Sequence, residues 1–382
     1  MMEIATERSR TIPPFIVMDV LEKAHELERK GRQVVHLEVG EPDFPTPTSI
    51  CEAAIKAIRD GHTHYTHSLG IIELREAICQ HYFQKYGVTV TPDRVLVTSG
   101  TSPALFMLFS AILEAGDEII LSDPHYPCYP NFAGFLNAMP VFVDVQEEDG
   151  FQLRPDAVDK KLGPRSKAIL INSPSNPTGN LLAPERIDEI AHMGPYVISD
   201  EIYHGLVYEG KEHSILEFTD RAFVLNGFSK TYAMTGWRLG YIIAPLDFVR
   251  PLQKIQQNFF ISAGSISQWA GIAALTEAEA DVERMKAVYN DRRKYMIRRL
   301  RELGFGLTVE PAGAFYMLVN AKHLSANSYV LAFDLLEKAG VGVSPGVDFG
   351  RNAEGYLRFS YANSLQNIRQ GLSRIEGFLK TR

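Results

Sequence analysis

From about residue 90 the chain alternates short, wholly apolar, β-branched runs with stretches of helical periodicity, and no other feature limits its fold so strongly. Residues 94–98, 118–121, 168–171, 196–199, 222–225 and 240–244 read as strands. Residues 103–114, ended by Gly116, and a segment opening near Pro184 read as helices between them. A strand that is apolar on both faces must be covered on both, which indicates a mostly parallel sheet between helical layers. In such sheets ligands sit beyond the carboxyl ends of the strands, so chemistry is sought in the loops that follow them.

The two ends of the chain read differently. Val17, Val20, Leu21, Ala24 and Leu27 recur at helical spacing before Gly31. Beyond residue 280 come a charged helical stretch (282–303), strand candidates at 314–319 and 356–361, and a last helix at 365–379. The expected organisation is a large α/β domain (45–280) and a smaller α+β domain built from both termini (1–44 and 281–382). At 382 residues and 45% hydrophobic the chain can bury such cores unaided, and three cysteines without a CxxC pair offer neither a disulfide framework nor a zinc site. The net charge of −7 argues against a nucleic-acid partner, which would need a basic surface. No apolar run is long enough for a secretory signal or a membrane span, so the expectation is a soluble cytoplasmic protein.

The loops carry the chemistry. Strand 94–98 runs into Ser99-Gly100-Thr101-Ser102-Pro103, where Pro103 suits a first helical turn and Gly100, Thr101 and Ser102 offer donors to an anion. Alone, that signal is ordinary capping. Asp200 ends the strand at 196–199, a place where a carboxylate is costly without a cation and otherwise serves as a helix cap. Asn176 lies in Ser-Pro-Ser-Asn-Pro-Thr-Gly, a fixed turn after an apolar strand. Lys230, in Phe228-Ser229-Lys230-Thr231-Tyr232, sits among aromatic and small residues; a desolvated lysine there would be an amine nucleophile. Arg238 follows within reach of an anion. His62, His64 and His67 form an HxHxxH run with no nearby acidic ligand and read as loop residues, with no metal site expected.

Taken in order, the SGTS loop, Tyr126, SPSNPTG, ISDEIY and FSK with Arg238 downstream resemble the class I/II aminotransferases, the aspartate aminotransferase-like, fold-type I enzymes of pyridoxal 5'-phosphate. The resemblance runs from about Gly40 to Arg358 and implies a mostly parallel seven-stranded sheet covered by helices in the large domain. It further implies that Lys230 forms the Schiff base with the cofactor and then moves the substrate's proton. Asp200 would face the pyridine nitrogen, Tyr203 and Asn176 would donate to the phenolate oxygen, and Tyr126 would stack on the ring. Gly100, Thr101, Ser102, Ser229 and Arg238 would hold the phosphate, joined by Tyr65 from the partner subunit of a homodimer with shared active sites.

For the substrate, the resemblance implies that Arg358 binds the α-carboxylate, with Asn176 beside it, and that Gly40 lets the backbone approach that carboxylate. Residues 12–16 would cover the pocket. The implied activity is transfer of an amino group from an L-amino acid to a 2-oxo acid in two half-reactions. The same motifs serve C–S β-lyases and other reactions on this scaffold, and a non-catalytic regulator sensing the cofactor is a further alternative. No second cation is fixed by a motif, which speaks against strict aspartate specificity; Phe15, Tyr65, Phe259 and Phe260 leave aromatic or broad specificity open.

Overall fold

The computed structural model describes residues 5–381. After a short first strand, β1 (Val35–His36), seven strands build one sheet. They are β2 (Val95–Thr98), β3 (Glu118–Asp123), β4 (Met139–Asp144), β5 (Ser166–Asn172), β6 (Tyr196–Asp200), β7 (Ala222–Gly227) and β8 (Gly240–Ile243). Their spatial order is β2-β8-β7-β6-β5-β3-β4. Strands β3 to β7 pair in parallel, and β8 alone runs antiparallel to both its neighbours, β2 and β7. The sheet is thus seven-stranded and mostly parallel.

Six of the seven strands fall where the apolar runs predict them, to within two residues at either end. Strand β4 was not anticipated: it carries Pro140, buries only Val143, and hydrogen-bonds to β3 alone. An edge strand is the one place in a sheet where proline is tolerated and a continuous apolar run is not needed.

Alternation along each central strand divides the core into two layers. In β5, Ile169 and Ile171 face one side and Ala168 and Leu170 the other; in β7, Val224 opposes Phe223 and Leu225. The first layer packs under the helices Ile72–Tyr86 and Ser265–Glu277 through Leu74, Ile78, Ala270 and Ala274. The second packs under Thr101–Ile112 and Leu246–Phe259 through Leu105, Leu108 and Leu252.

The chain's two ends meet. Strands β9 (Tyr316–Asn320), β11 (Ser344–Pro345) and β12 (Tyr356–Ser360) form an antiparallel sheet, while β10 (Val341–Gly342) pairs in parallel with β1. The long helix Glu279–Glu302 and the last helix Leu365–Lys380 bury Met296, Leu300, Ile368 and Leu372 in this third core. The N-terminal helix Ile16–Arg29 turns Val20, Ala24 and Leu27 onto Leu336.

Candidate active site

A cleft lies at the carboxyl ends of the central strands, where the large sheet meets the elements from both termini. Its position follows from the topology, because neighbouring strands end there with their loops diverging. Asp200 is the last residue of β6, and the next strand, β7, leads into Ser229 and Lys230. Strand β2 leads through Gly100 (φ +94°) into the helix beginning at Thr101. Gly100 is there for space as well as conformation: a Cβ would stand 2.7 Å from Arg238 Nη2.

Lys230 and Asp200 open onto the same cleft. Lys230 Nζ donates to the Gly40 carbonyl at 2.6 Å. Burial lowers its pKa to about 8; Arg358 and Arg238 push the same way, and Glu41 and Asp200 oppose them. The ammonium therefore gives way to the neutral amine around pH 8, well below the range of a solvated lysine. Asp200 is buried, and that burial raises its pKa to about 6. Tyr129 Oη, donating to Oδ2 at 2.5 Å, and Ile202 N, donating to Oδ1 at 3.2 Å, hold the carboxylate in place and moderate the shift. Asn172 Nδ2 donates to the Asp200 carbonyl and Asn172 Oδ1 accepts from Asn176 N, both at 2.9 Å, so the SPSNPTG turn is tied to the end of β6.

At one end of the cleft, Thr101 and Ser102 begin a helix whose first N–H groups have no partner within the helix. Ser229 and Arg238 line the same end, with Arg238 in the left-handed region (φ 51°) and Nη1 donating to the Thr235 carbonyl at 2.9 Å. Such a set is a cradle for a dianion.

At the other end, Arg358 is buried. Nη1 donates to Asn176 Oδ1 at 2.9 Å, and Nη2 to the Glu38 carbonyl at 2.5 Å and Ser344 Oγ at 3.0 Å. Its guanidinium lies 4.3 Å from the Tyr316 ring centroid and 4.7 Å from that of Phe349. Fixed on all these sides, it is a rigid fork for a carboxylate.

Tyr126 lines the wall, edge-on to Phe15 at 6.0 Å between centroids. Tyr203 lines the cleft too, its hydroxyl donating to Tyr316 Oη at 3.0 Å. Gly40 is held to its size by this tyrosine: a Cβ there would lie 2.0 Å from Tyr316 Oη.

Every candidate residue but Gly100 and Tyr65 therefore lines the cleft; Gly100 stands at its edge against Arg238. Tyr65 is 86% exposed and outside its own chain's cleft. Of the other aromatics, only Phe15 lines it; Phe259 is 67% exposed and packs on Phe106 and Phe260 at the end of the helix Leu246–Phe259. His62 stacks on Trp269, and among the described residues no group of His, Cys, Asp and Glu would hold a metal ion. Sequence reasoning missed Tyr129, Asn172, Tyr316 and Ser344. Tyr129, three residues after Tyr126, had a weak positional signal; Tyr316 and Ser344 had none, since Tyr316 reaches the cleft, and Ser344 the Arg358 guanidinium, only when the chain's end folds back.

The family model for aminotransferases of class I and II matches residues 32–375. A (5-formylfuran-3-yl)methyl phosphate transaminase of Methanocaldococcus jannaschii is 43% identical over 98% of this chain and 99% of its own. An aspartate aminotransferase of Pyrococcus horikoshii is 38% identical over 98% of this chain and 97% of its own. Among solved structures, a Methanococcus jannaschii protein described as similar in its active site to kynurenine aminotransferases superposes with a TM-score of 0.92 at 41% identity. That superposition covers 98% of this chain and all of the other.

Proposed function

Because the chain belongs to the class I and II aminotransferases, and is with them a pyridoxal phosphate-dependent transaminase, we propose that the Lys230 cleft is where it moves an amino group from an L-amino acid to a 2-oxo acid. The observation that carries this reading is the pairing, in one cleft, of a lysine amine neutral near pH 8 with a buried carboxylate.

The donor set fits the cofactor. Thr101, Ser102, Ser229 and Arg238, with Gly100 making room for the guanidinium, would hold its phosphate. Asp200 would face the ring nitrogen, Tyr126 the ring, and Tyr203 and Asn176 the phenolate oxygen. When bound, the cofactor supplies an aldehyde carbon that takes up the amino group and a ring that accepts the electron pair of the substrate's Cα–H bond.

The chain's own residues do the rest. Arg358 pairs with the α-carboxylate and, braced by Asn176, Glu38 and Ser344, orients the Cα–H bond. Lys230 Nζ is the base that takes the α-proton. Asp200, kept anionic at neutral pH by the Tyr129 and Ile202 hydrogen bonds, holds a proton on the ring nitrogen. Two half-reactions with the same groups carry nitrogen in and out.

We further propose a homodimer in which Tyr65 reaches the partner's phosphate cradle, a reading supported by its 86% exposure outside its own chain's cleft. The large unit would span 45–280 and the small one 1–44 with 281–382, and the location would be cytoplasmic. Among the described residues no helix is long and apolar enough to cross a membrane.

The test is product analysis. Purified protein given pyridoxal phosphate, an amino donor and 2-oxoglutarate is expected to turn yellow and to form one new 2-oxo acid per glutamate. Lys230→Ala should lose both colour and turnover. Ammonia and pyruvate without need of an acceptor would instead assign the cleft to elimination chemistry.

A further inference from the structure

We infer that the wall this chain contributes to the cleft selects amino donors with a large apolar side chain over dicarboxylic ones, and that Asp348 is the positioning residue that holds the wall in place. The inference rests on the reading above, in which the cofactor and the α-carboxylate engage the cleft's basic groups.

Three basic side chains line the cleft among the described residues: Lys230, Arg238 and Arg358. Each already has a task, at the aldehyde, the phosphate and the α-carboxylate. What this chain leaves for the rest of a substrate is largely apolar, Phe15, Val17, Met18, Leu21, Val39 and Leu105 among them, with Thr235 and Glu41 as its polar members. A distal carboxylate would give up water for apolar surface and meet a like charge at Glu41. A benzyl or branched alkyl group would instead cover surface that is now open to solvent, Met18 being 46% exposed although it faces the cleft.

The wall is held by one loop. Val17 and Leu21 lie one turn apart on the same face of the helix Ile16–Arg29, with Met18 beside them. Asp348 caps that helix from more than three hundred residues away: Oδ1 accepts from Ile16 N and Oδ2 from Val17 N, both at 3.1 Å. Next to it, the Phe349 ring packs on the Arg358 guanidinium, and the Phe349 carbonyl accepts from His125 N at 2.8 Å. Asn352 ties the same loop to Asp123. The loop thus fixes the apolar wall and the carboxylate fork against each other, which sets where a side chain must go once its α-carboxylate is bound.

The experiment compares kcat/KM of the cofactor-loaded enzyme for phenylalanine, alanine and aspartate against a common 2-oxo acid. Phenylalanine is expected to exceed aspartate by about tenfold or more. Asp348→Ala and Leu21→Ala should each lower kcat/KM for phenylalanine about tenfold more than for alanine, whose methyl group does not extend to the wall. A general folding defect would leave that ratio alone. Aspartate equal to or better than phenylalanine overturns the inference while leaving transamination standing, as does an unchanged ratio in both variants. No turnover with any of the three donors overturns the transaminase reading itself and the inference with it.

Discussion

Lys230 owes its chemistry to its neighbours. Burial, joined by two arginines, presses its pKa from 10.5 to about 8, and two carboxylates prevent it falling further. Since only the neutral amine attacks an aldehyde, the rate at which apoprotein turns yellow with pyridoxal phosphate should rise with pH and level off above about 8. Stopped-flow absorbance across pH 6 to 10 measures this, and a rate still climbing at the upper limit would mean the lysine behaves as if in water. This residue was legible beforehand because Phe228, Ser229, Thr231 and Tyr232 around it are no setting for a solvated charge. Tyr316 was not, because its place follows from the missing Cβ of Gly40, a contact between distant stretches that no local pattern records.

At the scale of elements, β1 is only two residues long, yet it steers the substrate end of the cleft. Two residues beyond it, Glu38 presents its carbonyl to Arg358 and buries its side chain against β10, so closely that a Cβ on Gly342 would come within 2.1 Å of Oε2. His36 Nδ1 meets Glu38 Oε1 at 2.6 Å, and that hydrogen bond, opposed by burial and aided by Glu28, raises the imidazole to about 9. A folded pKa above the ordinary 6.5 stabilises fully below pH 6.5 and is lost as pH rises through about 9. The gap in thermal unfolding midpoint between the unmutated protein and His36→Asn should therefore be widest below pH 6.5 and shrink towards pH 9 and beyond. A gap constant with pH would show that the pair adds no charge-dependent stability. The helices Ile16–Arg29, Thr101–Ile112 and Glu279–Glu302 and the wholly apolar strands announced themselves by periodicity, whereas β10 and β11, at two residues each, are shorter than any period.

For the whole molecule, the assembly is the open prediction. If Tyr65 serves the partner's site, Lys230→Ala and Tyr65→Ala proteins, each impaired alone at limiting cofactor, should regain activity when unfolded and refolded together. A mixed pair would own one intact cleft. Light scattering checks the pairing itself, and recovery no better than the sum of the separate variants would place each cleft within one chain. Six strands of the seven-stranded layer could be read from the sequence because each declares its own burial, as the edge strand β4, burying only Val143, does not. That the two ends share a smaller domain was expected, but the contact joining them was not legible: the tie from Ile16 to Asp348 spans 332 positions.

That separation has a temporal side. Synthesis runs from the amino end, so every donor assigned to the cofactor on a given chain has been translated by Arg238, while the guanidinium meant for the amino acid emerges only at Arg358. A ribosome working along this message finishes the vitamin's berth first, and the amino acid's berth must wait for the closing strand.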